Sequence, residues 1–519
     1  MILAPFQNPK ARILGRGISA FAVYTCLHLS SPEFAEGMEE PTADFWASSV
    51  MPTSHSHALM FVDAPSQQPS ALGTAPNKHT TASGQMLAEA TADHPVPASD
   101  TQLTEAGSPK SSTGQQEQAA KPSPPDEVAR GETVQNRKRK EYDPLGIHVG
   151  GFTVFPSTTL KTTIDDNIYA KPTGQRSDTV AALNADLKIQ SNWNNHLLES
   201  SLGVEAKRYV RNSKENHANI SFDMGGRLDI VRDVYLKAKA SAKRLYEKRS
   251  SPDDANGLEP TQYDKFAFEA VYHHKLNRLT FDLTGKLTDS DYTDVASASG
   301  VVNNDDRDRL DTEGTLKASY EFKPDFSVFA ETTWKKISYD DDFDDDGVNR
   351  DSIGATYKTG MRFDFSGVTF GDIYLGATSQ RYADASLQKS SGAIYGGKIT
   401  WNPTRLTTVT WNAERVISET TTAGASGVLD TKLDLTVDHE LLRNLILTAR
   451  VEKKFSNYQG ISQDDEDTKL KFSAKYLINR NVNAQFTLEH HNRDAKGGTS
   501  PADREFDQSQ ISLGLTFQI

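Results

Sequence analysis

The chain has 519 residues, 36% hydrophobic and 24% charged, with 70 Asp and Glu against 57 Lys and Arg for a formal charge of −13. That balance argues against nucleic-acid binding, which calls for a basic face. No stretch beyond the N-terminal region approaches the ~18 consecutive apolar residues of a membrane helix, which excludes a helical membrane protein but not a barrel, whose strands turn half their residues toward a polar lumen.

Residues 1–35 have a character of their own. Lys10, Arg12 and Arg16 precede an apolar run from Gly17 to Leu29, and a polar stretch follows. A basic start, a short apolar run and a polar exit describe a secretory signal peptide. Cys26, the single cysteine, lies inside that run, so an exported mature chain keeps no thiol, disulfide or cysteine metal site. Residues 36–140 are rich in Pro, Ser, Thr, Ala, Gln and Gly and show no sustained period; Lys121-Pro122-Ser123-Pro124-Pro125 is typical. Such a composition cannot bury enough apolar surface to offset chain entropy. It predicts a disordered periplasmic tail, ending in Arg137-Lys138-Arg139-Lys140, which reads as a solvated linker or as a contact for an anionic polymer.

From residue 141 the pattern changes. Ile220, Phe222, Met224, Leu228 and Ile230 alternate with Asn219, Ser221, Asp223, Arg227 and Asp229. Leu279, Phe281, Leu283 and Leu287 alternate with Asp282, Thr284 and Lys286, and Ile353, Ala355, Tyr357, Met361 and Phe363 with Thr356, Lys358, Arg362 and Asp364. The same holds for Leu470, Phe472, Ala474 and Tyr476 against Lys471, Ser473 and Lys475, and for the closing Ile511, Leu513, Leu515 and Phe517. A period of two places one apolar and one polar face on each strand. Either a soluble sandwich or a barrel in lipid satisfies that alternation.

The connections discriminate. Short turns fall at 192–195, 231–233, 275–277, 323–325, 365–367, 402–405, 440–443 and 478–481, and longer polar loops at 165–176, 211–216, 247–262, 290–306, 340–351, 382–391, 419–427, 457–467 and 492–507. Strict alternation of short and long connections is the asymmetry of outer-membrane barrels. Seventeen connections make eighteen strands. The expectation is an all-β fold, a closed antiparallel transmembrane β-barrel of about 18 strands (16–18) over residues 141–519, with both ends on the short-turn side. Trp334, Trp401, Trp411, Tyr357 and Tyr476 fall on the apolar faces, as interfacial aromatics do. Pro156 interrupts the first strand, and because proline removes a ladder hydrogen bond a bulge is expected there.

The polar faces carry charge. Lys237, Lys239 and Lys243 are assigned to the lumen, as are Asp223, Asp229, Glu414, Asp434 and Asp438. Facing rows of opposite charge would filter permeating ions; charges paired with each other would only keep the lumen polar. In the long loop at 340–351, Asp342, Asp344 and Asp346 alternate before Gly347, the first half of a calcium loop. The twelfth position holds Ile353 where a bidentate glutamate belongs. A Ca2+ site and a solvated acidic loop bridged by divalent ions to lipopolysaccharide are the two readings. Asn303-Asn304-Asp305-Asp306 and Asp464-Asp465-Glu466-Asp467 repeat the theme. His273-His274 and His490-His491 lack metal-ligand spacing, and neither a Gly-x-Ser-x-Gly elbow nor a His-Glu-x-x-His motif occurs, so no catalytic residue and no enzyme activity are expected.

The stretches Glu141-Tyr142-Asp143-Pro144-Leu145-Gly146, Gly150-Gly151-Phe152, Phe155-Pro156 and Asp165-Asp166-Asn167-Ile168-Tyr169, with Trp401-Asn402-Pro403-Thr404-Arg405-Leu406, resemble a proteobacterial family of outer-membrane barrels called putative beta-barrel porin 2. The resemblance covers residues 141–519 and implies a barrel and, for members encoded near exopolysaccharide genes, glycan traffic; it carries no catalytic residues. The expected function is thus a porin-like channel or exit duct in the outer membrane of a Gram-negative bacterium. The alternative is a non-conducting barrel displaying acidic loops. The expected partners are outer-membrane lipids, lipopolysaccharide, the barrel insertion machinery and a polysaccharide.

Overall fold

The computed structural model describes residues 131–498 and 501–519. The signal peptide and all of the tail up to residue 130 lie outside the described residues.

Eighteen antiparallel strands form one continuous wall. In chain order they are β1 (Phe152–Asp165), β2 (Asp178–Ser191), β3 (Leu197–Tyr209), β4 (His217–Val231), β5 (Val234–Tyr246) and β6 (Gln262–Leu276). Then come β7 (Leu279–Tyr292), β8 (Arg309–Lys323), β9 (Phe326–Tyr339), β10 (Ser352–Phe365), β11 (Thr369–Tyr382) and β12 (Ser390–Thr404). The last are β13 (Thr407–Ser418), β14 (Gly427–Leu442), β15 (Leu445–Gln459), β16 (Gln463–Leu477), β17 (Val482–Gly497) and β18 (Phe506–Gln518). The strands run from 12 to 16 residues, enough for the ~9–11 a tilted crossing needs. The wall closes because β1 pairs with β18, from Ser157 opposite Gln518 to Asp165 opposite Gln510. Closure leaves no unpaired edge, the condition for β-structure in lipid.

The two faces separate as the alternation predicts. Leu513, Ile353 and Leu375 expose 63%, 67% and 65% of their surface outward, a cost in water and a gain in hydrocarbon. Trp334, Trp401, Trp411, Tyr357 and Tyr476 share that outer face. Inward, Thr159 and Thr516 bond hydroxyl to hydroxyl at 2.8 Å, and Thr163 and Ser512 at 2.9 Å, across the closing seam.

Three local expectations change. No bulge forms at Pro156: the β1–β2 register runs unbroken, with Pro156 opposite Leu187. On its other side the carbonyl of Pro156 accepts from the N–H of Ile519 at 3.2 Å, so the missing donor faces the last residue, where that ladder ends anyway. The acidic loop expected at 457–467 shrinks to residues 460–462, because β15 and β16 run on through it. Asp465 and Asp467 therefore point into the barrel, and Glu466 points out to pair with Lys453. Finally, residues 131–140, assigned to the tail on composition, are ordered inside one end of the barrel.

Candidate functional site: the barrel lumen

The candidate site is the inner face, which two inserted segments divide. At the short-turn end, residues 131–143 lie along the inside of β12 to β16. The Val134 N–H donates to Thr408 Oγ1 at 2.9 Å, and Gln135 Nε2 to Asp438 at 2.7 Å. Arg137 and Arg139 both reach Glu440, at 3.3 and 2.7 Å. Asn402 donates to the Glu132 carbonyl, and Arg480 to that of Lys140, each at 2.9 Å. Val134 itself is buried against Ile446 and Leu477, with Tyr142 packed beside them. These two apolar residues occupy inward positions on β15 and β16, where polar ones are the rule. They are apolar because a chain segment covers them. Asn402 and Thr408, joined at 2.7 Å, thus serve the segment as well as the turn between them. Near this end a cavity of about 590 Å³ opens among Asn195, His196, Arg227, Asp229 and Arg232.

At the long-loop end, the connection between β5 and β6 does not stand up from the rim but folds inward across it. Glu247 at its start pairs with Arg307 at 3.0 Å, and Arg249 pairs with Glu215 at 2.8 Å. The Ser250 carbonyl accepts from Arg493 of β17 at 3.0 Å. Asp253 reaches the connection between β13 and β14, on the far side of the ring. Its Oδ1 accepts from the Thr420 hydroxyl at 3.1 Å and from the Thr421 N–H and hydroxyl at 3.0 Å each. Burial pushes the Asp254 carboxyl up to about 6, with Arg249 opposing and Glu247 adding to the rise. Burial likewise raises Glu247, although Arg307 pulls the other way. The loop is therefore a bridge over the mouth, pinned at both banks.

Between these two insertions the wall carries the charges assigned to it from sequence. All eight have inward parity, but they do not form facing rows. Asp223 lies 3.5 Å from both Lys239 and Lys243. Asp229 accepts from Arg227 at 2.7 Å, and Lys237 lies 4.8 Å from the Tyr235 ring. Glu414 stands opposite Lys432 in register. Asp434 accepts from Arg450, whose other arm reaches Glu452 at 3.0 Å. Asp438 accepts from Thr448 at 2.6 Å as well as from Gln135. Pairing runs along the wall, within a strand or between neighbouring strands, and further pairs join neighbours: Lys358 to Glu331 at 3.0 Å, Lys471 to Glu489 at 3.3 Å.

Aromatic rings also lie flat on the inner wall. A side chain on Gly360 would come within 2.5 Å of the Phe329 ring, and one on Gly396 within 2.5 Å of the Tyr374 hydroxyl. Lys317 sits 4.2 Å over the Phe329 ring and Lys358 5.1 Å from that of Tyr374, a cation–π arrangement that adds to the ion pairs both make with Glu331, at 3.7 and 3.0 Å.

The acidic loops are built differently from a cation site. Asp344 takes the Arg350 guanidinium at 2.6 Å and the N–H groups of Asp346 and Val348 at 3.1 and 2.8 Å. Asp342, Asp344 and Asp346 do not converge, and no cluster of three metal-ligating side chains occurs among the described residues. Asn304 is buried and caps its own turn on Asp294 and Thr293. Asp467 is held by His491 at 2.7 Å and Arg493 at 3.0 Å. His273 stacks on Tyr235 at 4.3 Å and bonds Asp282 at 2.6 Å.

A closed, lipid-faced wall of eighteen strands around a charged lumen defines a porin-like outer-membrane β-barrel. The chain belongs to the family described as putative beta-barrel porin 2, which matches residues 140–519. No curated protein matches it. Among solved structures it is similar to the outer membrane protein OpdK from Pseudomonas aeruginosa, at 12% identity over 70% of this chain and 99% of that one, with a TM-score of 0.38. A BenF-like porin from Pseudomonas fluorescens Pf-5 gives 11% identity over 70% and 99%, with a TM-score of 0.39. OccAB3 from Acinetobacter baumannii gives 11% over 72% and 100%, with a TM-score of 0.39.

Proposed function

We propose that the barrel is a narrow channel for small polar solutes, with the 247–261 loop as its constriction at the cell surface. Residues 131–143 then line the periplasmic mouth, and the tail hangs on that side. The observation that carries this reading is Lys161 on the wall and Lys248 on the loop, which both expose their side chains inside the barrel. An eighteen-stranded wall leaves an aqueous interior unless something fills it, and exposed lysines inside mean that water reaches them. The charges of the wall keep that path polar, and the family carries no residue assigned to catalysis.

The test is planar-bilayer recording of the full refolded chain. Discrete current steps are expected, small for a barrel of this strand number because the loop crosses it. Absence of current at any voltage would leave a non-conducting barrel displaying its loops. The family resemblance supports a second reading, an exit duct for an exopolysaccharide. Loss of secreted glycan on gene deletion, restored by the intact gene, would favour it; unchanged secretion would remove it.

A further inference from the structure

Residues 131–143 are built as a unit of their own. Their backbone bonds close on themselves: the Arg137 N–H donates to the Thr133 carbonyl at 3.1 Å, and those of Tyr142 and Asp143 to the Arg139 carbonyl at 2.7 and 2.8 Å. Arg139 reaches back to the Val134 carbonyl at 2.8 Å, and Arg137 to Glu132 at 2.6 Å. By contrast, each bond described above between the segment and the wall has a side chain at one end at least. The segment adds no strand to the sheet. It can part from the barrel without opening a ladder, and elements of that kind occupy the low-stability end of a fold.

The chain beyond it suits such a departure. Pro144-Leu145-Gly146 follows, with Gly146 at a φ of 71°, and then Ile147–Val149 pairs with Phe152–Val154 at the foot of β1. A ladder therefore holds the chain just past a three-residue hinge. On the other side the sequence continues for 130 residues toward the N-terminus.

The seat matches its occupant. Glu440 and Asp438 face the two arginines and Gln135, Thr408 and Asn402 meet the backbone at Val134 and Glu132, and Ile446 with Leu477 takes the Val134 side chain. All six wall residues are buried. The match has one flaw: Arg139 Nε is buried with no hydrogen-bond partner among the described residues, a desolvation cost that departure relieves.

We propose that residues 131–143 are a removable stopper in the periplasmic mouth, and that the vacated seat is a receptor for a short basic peptide of this pattern, a β-branched apolar residue followed three and five places later by arginine. The gating part rests on the channel reading; the seat does not. Load on the preceding chain draws the segment out about the hinge, and the Ile147–Val149 ladder limits the withdrawal. The tether keeps the segment at an effective concentration on the order of millimolar, so the seat refills when the load ends.

Three measurements on the full refolded chain test this. Hydrogen exchange of the wild type should show residues 133–143 exchanging as one unit, about tenfold or more faster than β14 to β16; exchange as slow as those strands overturns the stopper. A labelled synthetic peptide of residues 131–143, titrated in detergent, reads the seat whether or not the barrel conducts. R137E/R139E sets two carboxylates against Glu440 and empties the seat; V134D empties it by a second route, should the first variant refold poorly. The peptide should bind the emptied barrel about tenfold or more tighter than the wild type, whose seat is filled, and tighter than R137E/R139E/E440Q. Equal binding to all, or none to either emptied barrel with its β-sheet spectrum intact, overturns the seat. In bilayers R137E/R139E should shift to larger current steps than the wild type, and peptide added on the tail side should return them. Unchanged steps overturn the gating, whereas absence of current in every variant overturns the channel reading and leaves exchange and titration to decide the stopper and its seat.

Discussion

Asp254 and Glu440 show how single side chains hold the two insertions. The carboxyl of Asp254 has its pKa raised to about 6 in the folded loop, against 3.8 for the free group. The folded loop therefore binds that proton more tightly than an unfolded loop does, so the contribution is fully present below the free value and is lost as pH rises through about 6. Two pH units are worth at most about 3 kcal/mol. Acidifying from pH 7.5 to 5 should hold the loop across the mouth and lower single-channel conductance; D254N should flatten that dependence, and conductance that rises on acidification would contradict it. Glu440 accepts from Arg137 and Arg139 in a buried setting. Losing one partner of a buried pair commonly costs about 3–5 kcal/mol. E440Q should free residues 131–143, and limited proteolysis from the short-turn side should then cut there while the wall stays intact.

At the scale of elements, the wall strands were legible because lipid and lumen impose opposite demands on alternate residues. Ile353 and Lys358, five positions apart on β10, could only face opposite ways. The insertions were not legible for a related reason. A loop that folds inward needs polar residues just as one that projects outward does, so nothing in Glu247, Arg249 or Asp253 betrays the direction. Asp464 to Asp467 misled for the converse reason: charges on a strand's lumen face look like loop charges when the facing row is equally polar. One signal was available for the inner segment. Leu445-Ile446-Leu447 and Tyr476-Leu477 break the alternation, which marks inward apolar seats awaiting a cover. The eight lumen charges could be given a face, but their partners depend on the stagger between strands, which alternation does not encode. The loop's far anchor gives a direct test: D253A removes all three bonds to Thr420 and Thr421 and should raise conductance and lengthen open times, with an unchanged thermal midpoint for the wall.

At the scale of the whole molecule, the decisive contact joins the two ends of the wall. A cysteine pair at Thr163 and Ser512, whose hydroxyls meet at 2.9 Å across the seam, lies on directly opposed positions of the kind a disulfide can bridge. T163C/S512C should oxidise readily, change gel mobility without reductant, and raise the midpoint of thermal unfolding by several degrees. Failure to cross-link in the folded barrel would mean that the ring is open or registered otherwise.

The same seam has a bearing on biosynthesis. Because β18 is what closes the ring against β1 from Ser157 to Asp165, a product that stops short of residue 506 lacks the closing stave, not a dispensable appendage. It would present two long unsatisfied edges to a membrane that tolerates none. The thirteen residues of β18 thus decide whether the wall can close, and a product cut before them is expected to be cleared by proteolysis, which a pulse-chase of the truncated chain would read.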